Sequence, residues 1–164
     1  MTAAALIPAQ LAITPELPSD RGAVEALVLA AFGPGRYAKT AERIREHART
    51  TAGLVARDGD RIVGSVHLWA ITVGDVPAVF LGPITVAADY RKGGLGAELV
   101  TACVEAARQD KVGGVLLVGD MAYFQRFGFE PAPDARMPGP VDTRRVLWLP
   151  ITEAAPSGPV RPVS

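Results

Sequence analysis

Residues 78–86 read AVFLGPITV, apolar enough for a buried strand yet broken at the centre by Gly82-Pro83. Proline cannot donate to a strand ladder and glycine packs nothing. An interior Gly-Pro pair is therefore confined to a bulge or to a place where neighbouring strands part. Any fold built on this chain must accommodate an opening in the middle of its sheet. The preceding segments are β territory as well: LVAR (54–57) and RIVGSVHLWAITV (61–73) flank Asp58-Gly59-Asp60 and read as a hairpin. Val73–Pro77 then turns the chain into the interrupted strand.

Soon after that strand comes RKGGLG, Arg91–Gly96, which opens a helix to about Gln109 with Leu95, Leu99, Ala102 and Ala106 as its buried stripe. A strand, a glycine-rich turn and a helix start aim several backbone N–H groups at one point, where the partial positive charge favours a phosphate. Glycine lets the backbone approach closely, and Arg91 and Lys92 add two cations. The same pattern also fits a plain strand–helix turn. No Gly-Lys-Ser/Thr follows, so the turn is not a Walker loop. Hairpins rather than a βαβ repeat precede it, which argues against a dinucleotide-binding fold or another nucleotide-binding protein.

The rest of the chain supplies further elements. QLAIT (10–14) reads as a first strand, and Ser19 or Asp20 can cap a helix to about Phe32 with Val24, Leu27, Val28 and Ala31 on one face. Gly33-Pro34-Gly35 ends it, and the polar helix AKTAERIREHA (38–48), poor in apolar anchors, reads as a mobile cover. GVLLV (114–118) is a strand of the fully buried kind, AYFQRF (122–127) a short helix, and a brief strand begins at Phe129. Residues 131–140 read as loop and RVLWL (145–149) as the last strand, which at a sheet edge would let two copies of the chain pair as a homodimer. One domain is expected over residues 1–151, with the Pro-rich residues 152–164 as a flexible tail.

Composition narrows the function. Lys and Arg together number 17, as do Asp and Glu, so no net field draws in nucleic acid or an anionic membrane. Cys103 is the one cysteine and His47 and His67 the two histidines, which leaves no disulfide and little to build a metal site from. The N-terminal AAALI (3–7) lacks a basic lead and soon meets Pro8, and no stretch reaches membrane-spanning length, so a soluble cytoplasmic protein is expected.

The order of these features resembles the GNAT superfamily of acyl-CoA-dependent N-acetyltransferases. The resemblance lies in GPITVAADYRKGGLGAELV (82–100) and LVGDMAYFQRFGFEPA (117–132). The first fits the family's Arg/Gln-x-x-Gly-x-Gly/Ala motif at Arg91, Gly94 and Gly96, and the second its aromatic helix ending in Gly128-Phe129. What the resemblance implies is a three-layer αβα fold of the α/β (α+β) class, around a mixed, mostly antiparallel sheet of about six to seven strands. It further implies acetyl-CoA as co-substrate with no metal, and a small-molecule or peptide amine as acceptor. The strand parted at Gly82-Pro83 would open a wedge toward Leu116–Val118. Ile84, Thr85 and Val86 would pair with the pantetheine arm, and the amides of Lys92, Gly93, Gly94, Leu95 and Gly96 would hold the pyrophosphate beside Arg91. An amine would then attack the thioester directly in a ternary complex. A non-catalytic acyl-CoA-binding or sensing module of the same fold is the alternative.

That alternative is motivated by one departure from the family pattern. The resemblance places a tyrosine, the acid that protonates the departing sulfur, five residues before Phe129; here that residue is Phe124, which would still border the cofactor, and the tyrosine is Tyr123. A one-residue shift on a helix is a turn of about 100°, so Tyr123 should point elsewhere. It reads either as a substitute catalytic acid or as a core or rim ring. His67 shares a strand face with Ser65 and Trp69 and reads either as a structural histidine or as the base that deprotonates the amine. Cys103 reads as a small buried apolar residue, Asp120 as a helix cap, and Arg126 as either a snorkelling or a phosphate-pairing side chain. Arg36 and Tyr37 fall where the family binds its acceptor.

Overall fold

The computed structural model describes residues 11–32 and 40–164. AAALI (3–7), Gly33–Gly35, Arg36 and Tyr37 lie outside the described residues. The chain enters through β1 (Leu11–Pro15), a 3-10 turn at Pro18–Asp20 and α1 (Arg21–Phe32). Asp20 does not cap α1: its carboxylate accepts from the Leu17 amide (2.7 Å) and from Arg57 Nη1 (2.8 Å), tying the turn to the next strand. α2 (Thr40–His47) follows, then the hairpin of β2 (Thr50–Asp58) and β3 (Arg61–Val73), and β4 (Val76–Leu81) and β5 (Thr85–Val86). After α3 (Leu95–Asp110) come β6 (Gly114–Val118), α4 (Met121–Phe124), β7 (Glu130–Pro131), β8 (Ala135–Arg136), β9 (Val146–Pro150) and β10 (Gly158–Pro162).

The main sheet runs β1-β2-β3-β4-β6-β9-β7, with β5 and β10 both laid against β3 and β8 against β10. Only β4–β6 and β8–β10 are parallel; every other pairing is antiparallel. Strand alternation sorts the central residues into two cores. Val79, Leu81, Val115, Leu117, Leu147 and Leu149 pack under α3, while Ala78, Phe80, Leu116, Val146 and Trp148 pack with Ile44 of α2 on the other face. Val24 and Val28 of α1 rest on Val55. The layers are αβα, as the resemblance implied.

Several elements differ from the sequence expectation. The buried stripe of α3 is Leu95, Leu99, Cys103 and Ala107, with Val100 and Val104 beside it. Ala102 and Ala106 lie one residue off the centre of that face, because Val100 and Val104 pull the buried side toward the i+4 positions. α2 is packed rather than loose: Ile44 has no exposed surface. β9 is not an edge strand, since β6 lies on one side and β7 on the other, and Trp148 is fully buried. RVLWL therefore offers no open edge for a second copy of the chain to pair with.

The tail is also built into the fold. Val160↔Val73 and Pro162↔Ile71 pair β10 with the far end of β3, and Val160 is buried. The amides of Ile151, Thr152 and Glu153 all converge on the Gly113 carbonyl at 3.0–3.1 Å, which turns the chain back toward the sheet. Residues 152–164 are thus part of the domain, because the stretch of β3 beyond the reach of β2 would otherwise be an unpaired edge.

The interruption at Gly82-Pro83 produces both features that the sequence allowed. Leu68↔Leu81 and Ser65↔Thr85 are paired on either side of it. Between them β3 contributes Val66 and His67, while the other strand contributes Gly82, Pro83 and Ile84, so one residue is extra and the strand bulges. Gly82 has φ +140°, a conformation that L side chains rarely adopt. Its amide donates to the His67 carbonyl (2.9 Å) and its carbonyl accepts from Trp69 Nε1 (2.6 Å), which pins the bulge. On the other side β4 pairs with β6 only at Val79↔Val115 and Phe80↔Leu116. Past that point the two strands diverge.

Candidate active site

The divergence opens a cavity of about 880 Å³ with Leu81–Ile84 on one wall and Leu117–Asp120 on the other. Ile84 lines it, and among the described residues its amide donates to no acceptor. Thr85 and Val86 turn one edge to β3, and the Thr85 hydroxyl lies 2.7 Å from that of Ser65. That leaves the opposite edge of β5 as the side for an additional extended chain to approach.

β5 leads through a 3-10 turn (Ala88–Gly93) to Gly94 at φ +78°, and α3 begins at Leu95. The first amides of α3 have no partner within the helix. Leu95 is buried, so only its backbone is available, whereas Lys92 and Gly94 are exposed. Arg91 donates from Nε to the Val86 carbonyl (3.1 Å), tying the turn to β5. Gly96 lines the cavity; Arg91 to Leu95 precede it along the turn and do not.

Phe124 and Tyr123 both line the cavity. α4, one turn long, is capped by Asp120, whose Oδ1 accepts from the Ala122 amide (3.1 Å). The cavity wraps far enough around this turn to touch two residues 100° apart, so Tyr123 does not point away as the helical offset alone predicted. Its hydroxyl reaches toward the α3 N-terminus: a β-carbon on Gly96 would lie 3.8 Å from it. The Phe124 ring meets Tyr123 edge-on (4.9 Å between centroids) and Phe129 likewise (5.7 Å). Arg126 is occupied locally, with Nε on the Tyr123 carbonyl (2.9 Å) and its guanidinium 4.4 Å from that ring's centroid.

His67 is not in this cavity. It lines a second one of about 490 Å³, with Nε2 bonded to Glu16 Oε1 at 2.8 Å, and the two cavities share Pro83 and Arg45. The bulge stands between His67 and Tyr123. Sequence reasoning missed Glu16, the structural use of Trp69, and the arginines Arg43, Arg45 and Arg145 of the larger cavity. Glu42–Arg45, an i,i+3 pair at 3.0 Å, was visible as helical spacing; the other contacts depend on chain pairing. Cys103 is fully buried, which pushes its thiol up to about 12 and removes it as a nucleophile. Among the described residues no group of three or more His, Cys, Asp or Glu side chains could hold a metal, and no helix is long and apolar enough to cross a membrane.

Residues 22–129 match the model of the acetyltransferase (GNAT) family. The uncharacterized N-acetyltransferase YhbS of Escherichia coli (strain K12) is 32% identical over 120 residues, 71% of this chain and 72% of that protein. The uncharacterized N-acetyltransferase YjhQ of the same strain is 30% identical over 144 residues, 80% of this chain and 78% of that protein. The crystal structure of YhbS from Escherichia coli in complex with CoA superposes with TM-score 0.80 at 28% identity, covering 96% of this chain and 92% of that one. A GNAT acetyltransferase from Brucella melitensis, solved with acetyl-CoA, shares the fold at TM-score 0.73 and 23% identity, covering 94% and 96%. With a wedge at the bulge, an amide-rich turn beside it and a family match spanning both, this chain belongs to the acetyltransferase (GNAT) family, enzymes that take their acetyl group from acetyl-CoA.

Proposed function

We propose that this enzyme transfers the acetyl group of acetyl-CoA to a primary amine by direct attack in a ternary complex. The observation that carries this is the wedge at Gly82-Pro83, open on the same side as the amide-rich start of α3. The amides of Lys92 to Gly96, with Arg91 and Lys92, hold the pyrophosphate. The free edge of Ile84 to Val86 pairs with the pantetheine arm and brings the thioester to the bulge. The Ile84 amide, without an acceptor among the described residues, is a donor for the oxygen that becomes negative as the amine adds.

The amine lone pair forms the new C–N bond, and the C–S pair leaves with sulfur as the CoA thiolate. A thiol with a pKa near 8.5 leaves readily in that form, so Phe124 at the acid position slows the step without blocking it. Holding amine and thioester together supplies effective molarities of about 10⁵–10⁸ M, the larger contribution. The amine's proton passes to water in the open wedge, because His67 lines the neighbouring cavity across the bulge with its Nε2 on Glu16. Tyr123, with its hydroxyl toward Gly96, borders the pantetheine arm rather than the sulfur.

Calorimetric titration with acetyl-CoA and with CoA, followed by thiol release on an amine panel, tests the assignment. One saturable site, weakened together by Arg91→Ala and Lys92→Ala, and thiol release that depends on the amine, are expected. Absence of binding would remove the foundation of the proposal. Tight binding without acetylation of any amine would favour the non-catalytic module.

A further inference from the structure

We infer that the acceptor is an amine that also carries an anionic group, a carboxylate or a phosphate, held by Arg145 and Arg43, a step that rests on the acetyl transfer proposed above. Beyond Gly96, Tyr123 and Phe124 the large cavity continues to α2 and to the segment that enters β9. Its described lining there contains three guanidinium groups, Arg43, Arg45 and Arg145, against one carboxylate, Asp120. Asp120 already accepts from the Ala122 amide, and Arg45 is ion-paired with Glu42 at 3.0 Å.

The other two cations have no carboxylate in direct contact among the described residues. Arg43 makes one long contact, Nη1 to the Pro138 carbonyl at 3.4 Å, and has no carboxylate partner among the described residues. The Arg145 side chain has neither hydrogen bond nor close ion pair among the described residues; the nearby Asp142 carboxylate feels its charge but is held by Arg144 at 3.0 Å. Arg145 is nevertheless well placed. Its carbonyl accepts from the Gly119 amide and its amide donates to the Asp142 carbonyl, both at 2.9 Å, which fixes its Cα at the open end of β6. With equal numbers of acidic and basic residues in the chain, two guanidiniums in one cavity without a directly bonded carboxylate among the described residues are a local excess. Such groups grip carboxylate and phosphate in bidentate fashion and repel a polycation. Phe32 and Val141 line the same end, so an apolar substituent on the acceptor is accommodated beside the charge.

The site of the cofactor's pyrophosphate is separate from this one. α3 begins on the β5 side of the wedge, whereas Arg145 ends the 3-10 turn (Thr143–Arg145) that leads into β9, beyond β6. Amines paired by charge provide the test: amino acids against their amides, and phosphoethanolamine against ethanolamine. The enzyme is expected to prefer one anionic class by tenfold or more in kcat/KM. In the double variant Arg145→Gln, Arg43→Gln the preference should shrink to about two- to threefold with acetyl-CoA affinity unchanged. Carboxylate or phosphate selectivity identifies which anion is read. Equal rates on charged and neutral partners, or a preference that survives the double variant, overturns the inference. So does a loss of acetyl-CoA affinity in that variant, since the arginines would then serve the cofactor; the transferase assignment would stand in all three cases. Should no amine turn over, inorganic phosphate titrated into the acetyl-CoA complex decides: saturable binding lost in the double variant supports the anion site, and no binding overturns it.

Discussion

At Gly119 a β-carbon would lie 2.5 Å from Phe124 Cε2, so the ring fills the space that a side chain there would take. The phenyl group is therefore seated in the cavity wall with its edge on Tyr123 and Phe129, and a hydroxyl added to it has a defined direction. Phe124→Tyr is expected to raise kcat, approaching about 10²-fold, the low end for a general acid because thiolate is already a fair leaving group. Acetyl-CoA affinity should stay within about twofold, since the ring remains. Tyr123→Phe should do the reverse, raising the KM for acetyl-CoA while kcat is little changed, because its hydroxyl faces the start of α3. Steady-state kinetics on both variants checks the pair. A fall in kcat for Tyr123→Phe with KM unmoved would make Tyr123 the acid after all.

At the scale of elements, β10 shows how a strand can be invisible to its own sequence. GPVRP carries two prolines and a glycine, a composition that signals no packing, and its partner residues Ile71–Val73 lie far back along the chain. Local pattern cannot report a pairing whose evidence is an unfilled edge elsewhere. Removing residues 156–164 exposes that edge and the contacts of buried Val160, along with the hydrogen bonds of Val163 to Ala70 and Arg49 at 2.9 Å. The cost is expected to be about 2–4 kcal/mol. At this chain length that is a fall in melting temperature of about 5–15 °C, measurable by circular dichroism. An unchanged transition would mean that the tail contributes nothing to the fold. By contrast, the hairpin at Asp58-Gly59-Asp60, the bulge at Gly82-Pro83 and the turn before α3 were legible, because each is written in residues that constrain their own backbone. The site divides the same way. The turn from Arg91 to Gly96 could be read from glycine spacing, but the Glu16–His67 bond joins β3 to the segment after β1, and Arg145 reaches the wedge only through the β6–β9 pairing.

Across the whole molecule, one core joins the site to overall stability. Cys103 sits in the cluster that also contains Leu81 and Leu117, residues of the two wedge walls, with Leu99 of α3 between the layers. Burial raises its thiol from an ordinary 9.0 to about 12. The folded form therefore keeps its proton at alkaline pH while the unfolded chain gives its proton up. Stability contributed by the neutral thiol is complete below about pH 9 and is lost as the pH rises from there toward 12. Each unit in that window should cost about 1.4 kcal/mol beyond the loss common to tyrosines and lysines. Cys103→Ala isolates the effect: its cavity lowers stability by an amount independent of pH, whereas the alkaline slope due to the thiol disappears. Urea denaturation of both proteins at pH 8 and pH 10 should show the wild type losing about 1.4 kcal/mol more than the variant. Parallel losses would mean that the thiol ionises in the folded state, and that the layer between α3 and the wedge admits water.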